Sequence, residues 1–204
     1  MTAIYWFSQL DSTNAECLRK AYNGERAPFV VAAQRQTAGR GTKKRPWHST
    51  EGGLYFSWYL GEGQDRRFVQ LVTIAGVLGV ADFLEAQGVA AEIKWPNDLF
   101  LKGRKICGIL GESVTQGAHS HLVLGTGLNL MQKQAQLEQA SDQAGSVAEQ
   151  TGIRLEPGDV LNDVLMQQQK WFALLEQDPE AVKRAYLRRV KTGEKEAESF
   201  LGKV

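Results

Sequence analysis

The stretch Lys94–Asp98 has the sequence Lys-Trp-Pro-Asn-Asp and decides how the middle of the chain folds. Ile93 and Trp95 alternate with Lys94, which predicts the end of a half-buried strand. Pro96 cannot donate a backbone hydrogen bond to a neighbouring strand, and the Asn-Asp pair after it favours a turn. A lysine on a rigid strand end, beside amide and carboxylate side chains, suits the binding of an anionic phosphate. Taken alone, the stretch is also compatible with an ordinary strand and turn that carry a surface lysine.

Apolar segments on both sides of this stretch predict a mixture of strands and helices. Residues 99–101 and 105–110 are expected to form two strands joined by a hairpin turn at residues 102–104. Further strands are expected at residues 4–7, 29–33, 54–60 and 122–130. Helices are expected at residues 11–22, 68–87, 147–151, 158–177 and 179–190. Because strands and helices do not alternate strictly, we expect an α+β fold with a central mixed or antiparallel sheet.

The composition is that of a globular protein. The chain has 204 residues, 43% of them hydrophobic, and a formal net charge of +1, which argues against a strongly basic nucleic-acid-binding protein. Cys17 and Cys107 lack metal-ligand spacing and are expected to be buried free thiols in a reducing compartment. Residues 1–10 lack a signal-peptide pattern, and the longest apolar segment, residues 71–81, is too short to span a membrane. We therefore expect a soluble cytoplasmic protein.

A basic, glycine-containing loop is expected at residues 34–47. Gly39 and Gly41 allow backbone amides to approach a ligand closely. Arg40 and Arg45, with two lysines between them, favour carboxylate or phosphate groups. The spacing is neither that of a Walker phosphate-binding loop nor that of a dinucleotide-binding loop. On its own, the pattern is equally typical of a solvated basic loop.

Other polar residues admit structural as well as functional interpretations. Thr13 with Glu16 predicts a capping box at the start of the first helix. The glycines of residues 125–129, Gly-Thr-Gly-Leu-Asn, indicate a bulge or a backbone that lies next to a ligand. His119 and His121 are expected to be exposed loop residues, since no third metal ligand accompanies them.

The long segment after the last predicted strand, residues 131–146, has no strong hydrophobic period and is expected to be mobile.

Four segments together resemble the bacterial biotin protein ligases, the biotin–[acetyl-CoA-carboxylase] ligases. These are residues 11–14 (Asp-Ser-Thr-Asn), the loop at residues 36–45, Lys94–Asp98 and residues 125–129. They follow the family's order, and the similarity covers residues 4–190. The resemblance implies a mixed sheet flanked by helices, similar to the catalytic domains of class II aminoacyl-tRNA synthetases.

The resemblance also implies a domain arrangement. Residues 1–190 correspond to the catalytic domain, and residues 191–204 form a tail where a small SH3-like barrel would normally begin. An N-terminal DNA-binding domain, and with it repressor activity, is not expected.

The family's reaction has two steps and several partners. Biotin and ATP give biotinyl-5′-AMP and pyrophosphate, and a lysine of a biotin carboxyl carrier protein then takes the biotin and releases AMP. Mg²⁺ is expected with ATP, although the sequence assigns no ligands to it. Small molecules and the carrier are the implied partners, with no nucleic acid and no membrane. Sheet-edge dimers occur among relatives, so a homodimer is left open.

The resemblance assigns roles to individual residues. Lys94 and Arg40 are the implied catalytic residues. Lys94 would bind the phosphate and the biotin carboxyl region, and Arg40 would hold the loop over biotin and its acyl phosphate. The implied biotin-binding set is Ser12, Thr13, Asn14, Gln36 and Gly39, together with Arg40 and Lys94. The implied ATP and adenylate set is Arg45, Trp47, Asn97 and Asn129.

The loop departs from the family at one position. The family commonly has Gly-Arg-Gly-Arg, whereas this chain has Thr42 at the fourth position. An arginine there helps to retain the adenylate, so we expect this chain to release biotinyl-AMP more readily than a member with that arginine.

Two rival functions remain open at this stage. A lipoate or octanoate ligase shares the implied fold, although the Trp-Pro-Asn-Asp continuation after the lysine favours biotin. A biotin-binding module without full catalysis is the rival of a different class. It would bind biotin and form no adenylate.

Overall fold

Alternating apolar residues produce one mixed sheet in the described part of this computed structural model, which is residues 2–62, 66–117, 119–138, 141 and 143–203. The strands are β1 (Ala3–Leu10), β2 (Phe29–Gln36), β3 (Gly53–Glu62), β4 (Glu92–Lys94), β5 (Asp98–Leu101), β6 (Arg104–Gln116), β7 (His119–Asn129) and β8 (Val190–Thr192). Their order across the sheet is β1-β2-β3-β7-β6-β5-β4-β8. The outer pairs, β1–β2 and β4–β8, are parallel and the inner pairs are antiparallel. The predicted α+β fold with a mixed central sheet is confirmed.

Helices cover both faces of this sheet. They are α1 (Thr13–Tyr22), α2 (Arg66–Ala86), α3 (Gln134–Leu137), α4 (Val147–Thr151), α5 (Pro157–Gln177), α6 (Pro179–Arg189) and α7 (Glu194–Leu201). The larger core cluster joins α2, α5 and α6 to one face of the sheet. A smaller cluster lies under α1 on the other face, where Cys17 and Leu18 pack with Val31 and Val123. Both cysteines are free and buried, as predicted, and burial raises the pKa of each thiol.

Helix α2, predicted at residues 68–87, is strongly apolar. By length and composition alone, its 19 residues Phe68–Ala86 could cross a membrane. In the fold, 67% of its most apolar window is buried inside the protein. This burial is typical of a core helix.

The C-terminal segment packs around the turn that follows β4. Strand β8 pairs in parallel with β4, and the Thr192 carbonyl accepts a hydrogen bond from the Trp95 amide at 2.9 Å. The Trp95 ring lies 5.4 Å from that of Phe200 in α7. The Tyr186 hydroxyl in α6 donates to the Pro96 carbonyl at 2.9 Å. The domain boundary at residue 190 stays a prediction, and the residues just after it contribute a strand to the main sheet.

The prediction for His121 is wrong. Strand β7 begins three residues before its predicted start, because it continues to pair with β3 and β6. His121 is only 2% exposed, and its Nδ1 lies 3.1 Å from the Tyr59 hydroxyl. His119 is exposed, as expected, but it lies in the strand and its Nδ1 is 2.9 Å from Glu62 Oε2.

The segment expected to be mobile carries the short helix α3. At its two ends, the Ser146 hydroxyl donates to the Gln132 carbonyl at 2.7 Å, and both residues are buried. The Ala148 amide of α4 donates to the Leu130 carbonyl at 2.8 Å. The first bond joins the two ends of the segment to each other, and the second ties the start of α4 to the residue that follows β7.

Candidate active site

A polar cavity opens between the start of α1, the loop after β2 and the strands β5, β6 and β7. It brings together seven of the predicted site residues: Ser12, Thr13, Asn14, Gln36, Arg40, Trp47 and Asn97. These residues come from separate segments of the chain, which the fold brings around one space. The cavity is the candidate active site.

A buried hydrogen-bond network forms the floor of the cavity. Gln36 Oε1 accepts from the Thr13 amide at 2.8 Å and from the Thr13 hydroxyl at 3.1 Å. The Ser57 hydroxyl, from β3, lies 2.7 Å from the Thr13 hydroxyl and 2.5 Å from Asn14 Oδ1. Gln36 Nε2 donates to the Ser49 hydroxyl at 2.8 Å. The network fixes an array of donors and acceptors, which is how a site orients a small polar ligand.

The capping box predicted at Thr13 is wrong. Thr13 is the first helical residue, and the N-cap residue Ser12 makes no side-chain cap bond. The Thr13 side chain is used by Gln36 instead, and Glu16 pairs with Arg19 at 2.7 Å. The polar start of α1 therefore points its side chains into the cavity rather than back at its own backbone.

Arg19 also stabilises the residue before this helix. Its guanidinium donates to both carboxylate oxygens of Asp11, at 2.6 and 2.9 Å. This arginine holds the pKa of Asp11 at about 2, below its ordinary value. Asp11 Oδ1 in turn accepts from the Ser12 amide at 2.7 Å. The start of α1 is therefore held by a charged group as well as by the floor of the cavity.

Glu112 connects this floor to the basic loop, and the sequence analysis did not identify it. Its Oε2 accepts from Asn14 Nδ2 at 2.6 Å and lies 3.2 Å from the Arg40 guanidinium. Asn14 is 4% exposed, whereas the side chain of Arg40 is 44% exposed. One carboxylate thus links a buried amide to a solvent-facing cation of the loop.

Trp47 closes one side of the cavity by lying against glycines of two strands. A Cβ added at Gly127 in β7 would overlap the indole of Trp47, and one added at Gly108 in β6 would crowd the same ring. Because glycine has no side chain, these two positions leave room for the indole of Trp47 to pack directly on the backbone of β6 and β7. Trp47 Nε1 is buried without a hydrogen-bond partner among the described residues. This nitrogen faces Gly127 of β7 rather than open space.

The turn after β4 contributes one wall. The backbone groups of Asn97 and Ile109 join the turn to β6, since the Ile109 amide donates to the Asn97 carbonyl at 2.9 Å. The Asn97 side chain also donates to the Ile109 carbonyl at 2.5 Å. The Trp95–Pro96 peptide bond is cis.

Lys94 lies beside the cavity rather than among its lining residues. It pairs directly with Asp98 across β4 and β5, so both side chains project from the same face of the sheet. Its Nζ lies 4.9 Å from the centre of the Phe100 ring. The lysine is therefore held on the strand end, as the sequence predicts, with its ammonium over an aromatic ring.

Three other predicted residues lie outside the lining. Gly39 packs under the Trp47 carbonyl, where a Cβ would overlap it. Arg45 donates to the Thr42 hydroxyl at 3.2 Å. Asn129 is buried, donates to the Gly145 carbonyl at 3.0 Å and accepts from Gln132 at 3.1 Å. Their roles towards biotin and ATP stay predictions.

Lys105 and Asp98 are cavity residues for which sequence reasoning assigned no role. Lys105 Nζ lies 2.6 Å from Asp98 Oδ1 and 5.5 Å from the centre of the Trp47 ring. Lys105 is the first residue of a predicted strand. The side of the sheet from which its side chain projects depends on an irregularity in the β5–β6 pairing, which no local sequence pattern reveals.

A second cavity of about 650 Å³ lies on the other side of the Asn97–Ile109 contact. Side chains of α2, the outer part of β6 and α7 line it. It shares Thr42, Asn97, Ile109 and Leu110 with the first cavity. The turn after β4 therefore forms part of the wall of both cavities.

Comparison with known proteins identifies relatives of this chain. The model of the biotin/lipoate A/B protein ligase family matches residues 6–129. The bifunctional ligase/repressor BirA of Bacillus subtilis is 32% identical over 167 residues, which is 80% of this chain and 51% of that protein. The biotin–[acetyl-CoA-carboxylase] ligase of Paracoccus denitrificans is 32% identical over 175 residues, 83% of this chain and 72% of that protein. The chain thus spans about half the length of the BirA relatives that it matches.

Solved structures show the same similarity. The biotin protein ligase from Aquifex aeolicus, in complex with biotin and ATP, superposes with a TM-score of 0.78 at 26% identity, covering 93% of this chain and 79% of that one. A protein from T. acidophilum with bound lipoic acid has a TM-score of 0.58 at 13% identity and shares the fold alone. The family match, the two relatives above 30% identity and the superposition agree, and the chain belongs to the biotin/lipoate A/B protein ligase family.

Proposed function

We propose that this chain activates biotin with ATP and transfers it to a lysine of a biotin carboxyl carrier protein. The observation that carries the proposal is the composition of one cavity. A floor of fixed donors and acceptors, Thr13 and Gln36 among them, lies next to the cations Arg40 and Lys105. The related biotin–[acetyl-CoA-carboxylase] ligase and the superposed ligase in complex with biotin and ATP support the choice of acid.

The first step must bring two anions together. A carboxylate oxygen of biotin attacks the α-phosphorus of ATP, and the bond to the pyrophosphate group breaks. Biotinyl-5′-AMP and pyrophosphate are the products. Cations placed at the joining point offset the repulsion and stabilise charge that develops on the phosphate oxygens. Arg40 at the cavity mouth and Lys94 on the adjacent strand end are suited to this task.

The second step uses the same geometry. The neutral amine of a carrier lysine attacks the acyl carbon of the mixed anhydride, an amide bond forms, and AMP leaves with the electron pair of the broken C–O bond. The cations then stabilise the phosphate of the leaving group. The fixed floor keeps the acyl carbon in place, which lowers the entropic cost of the encounter.

The side chains at this cavity do not fit a resident Mg²⁺ ion. The described residues contain no group of three or more His, Cys, Asp or Glu side chains placed to hold a metal. The carboxylates at the cavity are already paired, Asp98 with Lys105 and Glu112 with Arg40 and Asn14. A Mg²⁺ ion would enter with the triphosphate of ATP as part of the substrate.

The proposal is tested by biotin-dependent exchange between ATP and labelled pyrophosphate. We expect exchange with biotin, no exchange with lipoate, and a loss of 100-fold or more, roughly the value of one oriented charge, in Lys94→Ala. Glu92→Ala, at an exposed position of the same strand, is the matched control and should keep wild-type exchange.

Each alternative has a distinct outcome. If lipoate rather than biotin drives pyrophosphate exchange, the substrate of this chain is lipoate. Biotin binding in a calorimeter, without exchange, would make the chain a binding module. Exchange by the wild type that survives in Lys94→Ala would remove that residue from the chemistry.

A further inference from the structure

We propose that Tyr186 is a positioning residue of the adenylation reaction, which acts on Lys94 through the backbone of the turn after β4. This inference rests on the proposed function and adds to it a residue of α6 that lies outside the lining of the first cavity. It starts from the hydrogen bond between the Tyr186 hydroxyl and the Pro96 carbonyl.

Neighbouring elements hold the backbone of this turn on two sides. The Trp95 amide donates to the Thr192 carbonyl in β8 at 2.9 Å. The Asn97 carbonyl accepts from the Ile109 amide in β6, also at 2.9 Å. These bonds fix the first and third residues of the turn. The residue between them, Pro96, has no amide hydrogen, so only its carbonyl is available for a backbone hydrogen bond.

Tyr186 supplies the bond to this middle residue. Its hydroxyl donates to the Pro96 carbonyl at 2.9 Å, and its ring lies edge-on to that of Trp95, with 6.0 Å between the ring centres. The side chain is fully buried in the larger core cluster. Burial, together with the negative charge of Asp98, raises the pKa of the Tyr186 hydroxyl, which therefore stays protonated and remains a donor at neutral pH. A core helix thus reaches the turn through one side-chain hydrogen bond.

The turn determines where the groups at the proposed reaction centre point. Lys94 is the last residue of β4 and Asp98 the first residue of β5, and the two pair directly across these strands. Asn97, the residue after Pro96, lines the first cavity. A shift of the Pro96 peptide group therefore moves the Lys94 ammonium relative to the bound acid. Misplacement of a reacting group by about 1 Å can cost about 100-fold in rate, even when the substituted residue lies far from the chemistry.

The floor of the cavity is built without this turn. Its hydrogen bonds join α1, β2 and β3 through Thr13, Gln36 and Ser57. Loss of the Tyr186 hydroxyl should therefore lower kcat for exchange and leave the binding of biotin to the floor nearly unchanged. A hydroxyl that served only to stabilise the packing of α6 would lower the free energy of unfolding and leave kcat as it is.

Tyr59→Phe is the matched control for Tyr186→Phe. The Tyr59 hydroxyl is also buried and lies 3.1 Å from the His121 Nδ1, in the part of the sheet that packs under α1. Each variant removes one buried hydroxyl and keeps the aromatic ring, so the surrounding core stays filled. The two variants should lose comparable stability, and only one of them removes a bond to the turn.

The experiment measures biotin-dependent ATP–pyrophosphate exchange, biotin affinity by calorimetry and urea unfolding for the wild type and both variants. We expect Tyr186→Phe to lose about tenfold in kcat, the effect of one hydrogen bond at the upper end of the usual range. Its biotin affinity should change little, and Tyr59→Phe should keep the wild-type kcat. If Tyr186→Phe and Tyr59→Phe have the same kcat, the inference is overturned and the Tyr186 hydroxyl is a structural group alone.

A double-mutant cycle with Lys94→Ala tests whether the effect passes through the lysine. In that background Tyr186→Phe should cause little further loss of kcat, because the group that it positions is absent. Equal losses with and without Lys94 would overturn the inference. Absence of exchange in the wild-type protein would overturn the proposed function, and the inference with it.

Discussion

The carboxylate of Glu112 lies 3.2 Å from the guanidinium of Arg40, across the mouth of the cavity. The same carboxylate accepts a hydrogen bond from the buried amide of Asn14. The basic loop is thereby tied to the floor that is expected to hold biotin, through one residue of β6.

The two partners of Glu112 can be separated by substitution. Glu112→Gln keeps an acceptor for Asn14 and removes the charge opposite Arg40, so we expect KM for biotin to rise severalfold with unchanged folding stability. Glu112→Ala also leaves the Asn14 amide unpaired and should lower the free energy of unfolding by about 1–3 kcal/mol. Steady-state exchange and urea unfolding measure the two effects. Glu180→Gln, which breaks an ion pair on α6, is the control. An unchanged KM in Glu112→Gln would contradict the role given to the Arg40 contact.

Thr42 marks the position where this loop departs from its family. Its hydroxyl accepts from Arg45 at 3.2 Å, and its side chain lines both cavities. We expect Thr42→Arg to slow the release of biotinyl-AMP by about tenfold or more, the effect of one charge-assisted hydrogen bond. Release of labelled adenylate from the protein measures the dwell time. Thr42→Gln, the control, lengthens the side chain without adding charge and should leave the dwell time near that of the wild type. Equal dwell times in the wild type, Thr42→Arg and Thr42→Gln would refute the role of an arginine at this position in retaining the adenylate.

The packing of Trp47 against Gly127 can be tested by adding a methyl group at residue 127. In Gly127→Ala the new methyl group meets the indole, so we expect a loss of about 1–3 kcal/mol in the free energy of unfolding and a large loss of exchange. Gly158→Ala, in α5, is the control, because a Cβ there meets no atom within 4 Å. That change should be neutral or stabilise by up to about 1 kcal/mol. Wild-type stability and activity in Gly127→Ala would show that Trp47 does not need its observed position.

The lowered pKa of Asp11 should make the free energy of unfolding depend on pH. Its pKa is about 2 in the folded protein against 3.8 for the ordinary group, so the folded state favours the ionised form. The stabilisation is present above about pH 4 and is lost as the pH falls towards 2. Because Arg19 and Asp11 are both 47% exposed, we expect less than about 1 kcal/mol.

Urea unfolding of Asp11→Asn at pH 6 and pH 2.5 tests this expectation. The variant should be less stable than the wild type at pH 6, and the difference should shrink at pH 2.5 without vanishing, because the folded-state pKa of Asp11 is about 2. Asp163→Asn, on the exposed surface of α5, is the control. A difference that persists unchanged at pH 2.5 would assign the effect of the substitution to something other than the Asp11 charge.

Local sequence patterns predicted most of the elements, and the family resemblance pointed to seven of the residues that line the first cavity. Lys94 was placed on a strand end because the alternation of Ile93 and Trp95 and the following proline are local signals, and β4 ends at Lys94. Strand ends were less predictable: β6 runs to Gln116 and β7 begins at His119, because pairing between the two strands continues past the apolar residues.

The site residues that were missed depend on long-range geometry. Glu112 faces Asn14 only because α1 packs over β7, and Lys105 faces the cavity only because Ile106 is an extra residue in the β5–β6 pairing. Thr13 illustrates the opposite case, in which a local pattern predicted a contact that does not form. Its amide and hydroxyl donate to Gln36 of a distant strand instead of taking part in a capping box. The pattern of apolar residues within one segment predicts the secondary structure of that segment. It does not predict which side chains of a distant segment will contact it in the fold.

The contact of the C-terminal segment with Trp95 has a consequence for biosynthesis. A chain emerging from the ribosome exposes its N-terminal elements first and folds them as they appear. The outer partner of β4 and the ring that packs on Trp95 both belong to residues 190–201, which follow every predicted site residue in the sequence. A nascent chain that has already exposed every one of its predicted site residues therefore still lacks the support for its Lys94 turn. That support is synthesised only after all of the residues that it helps to hold in place.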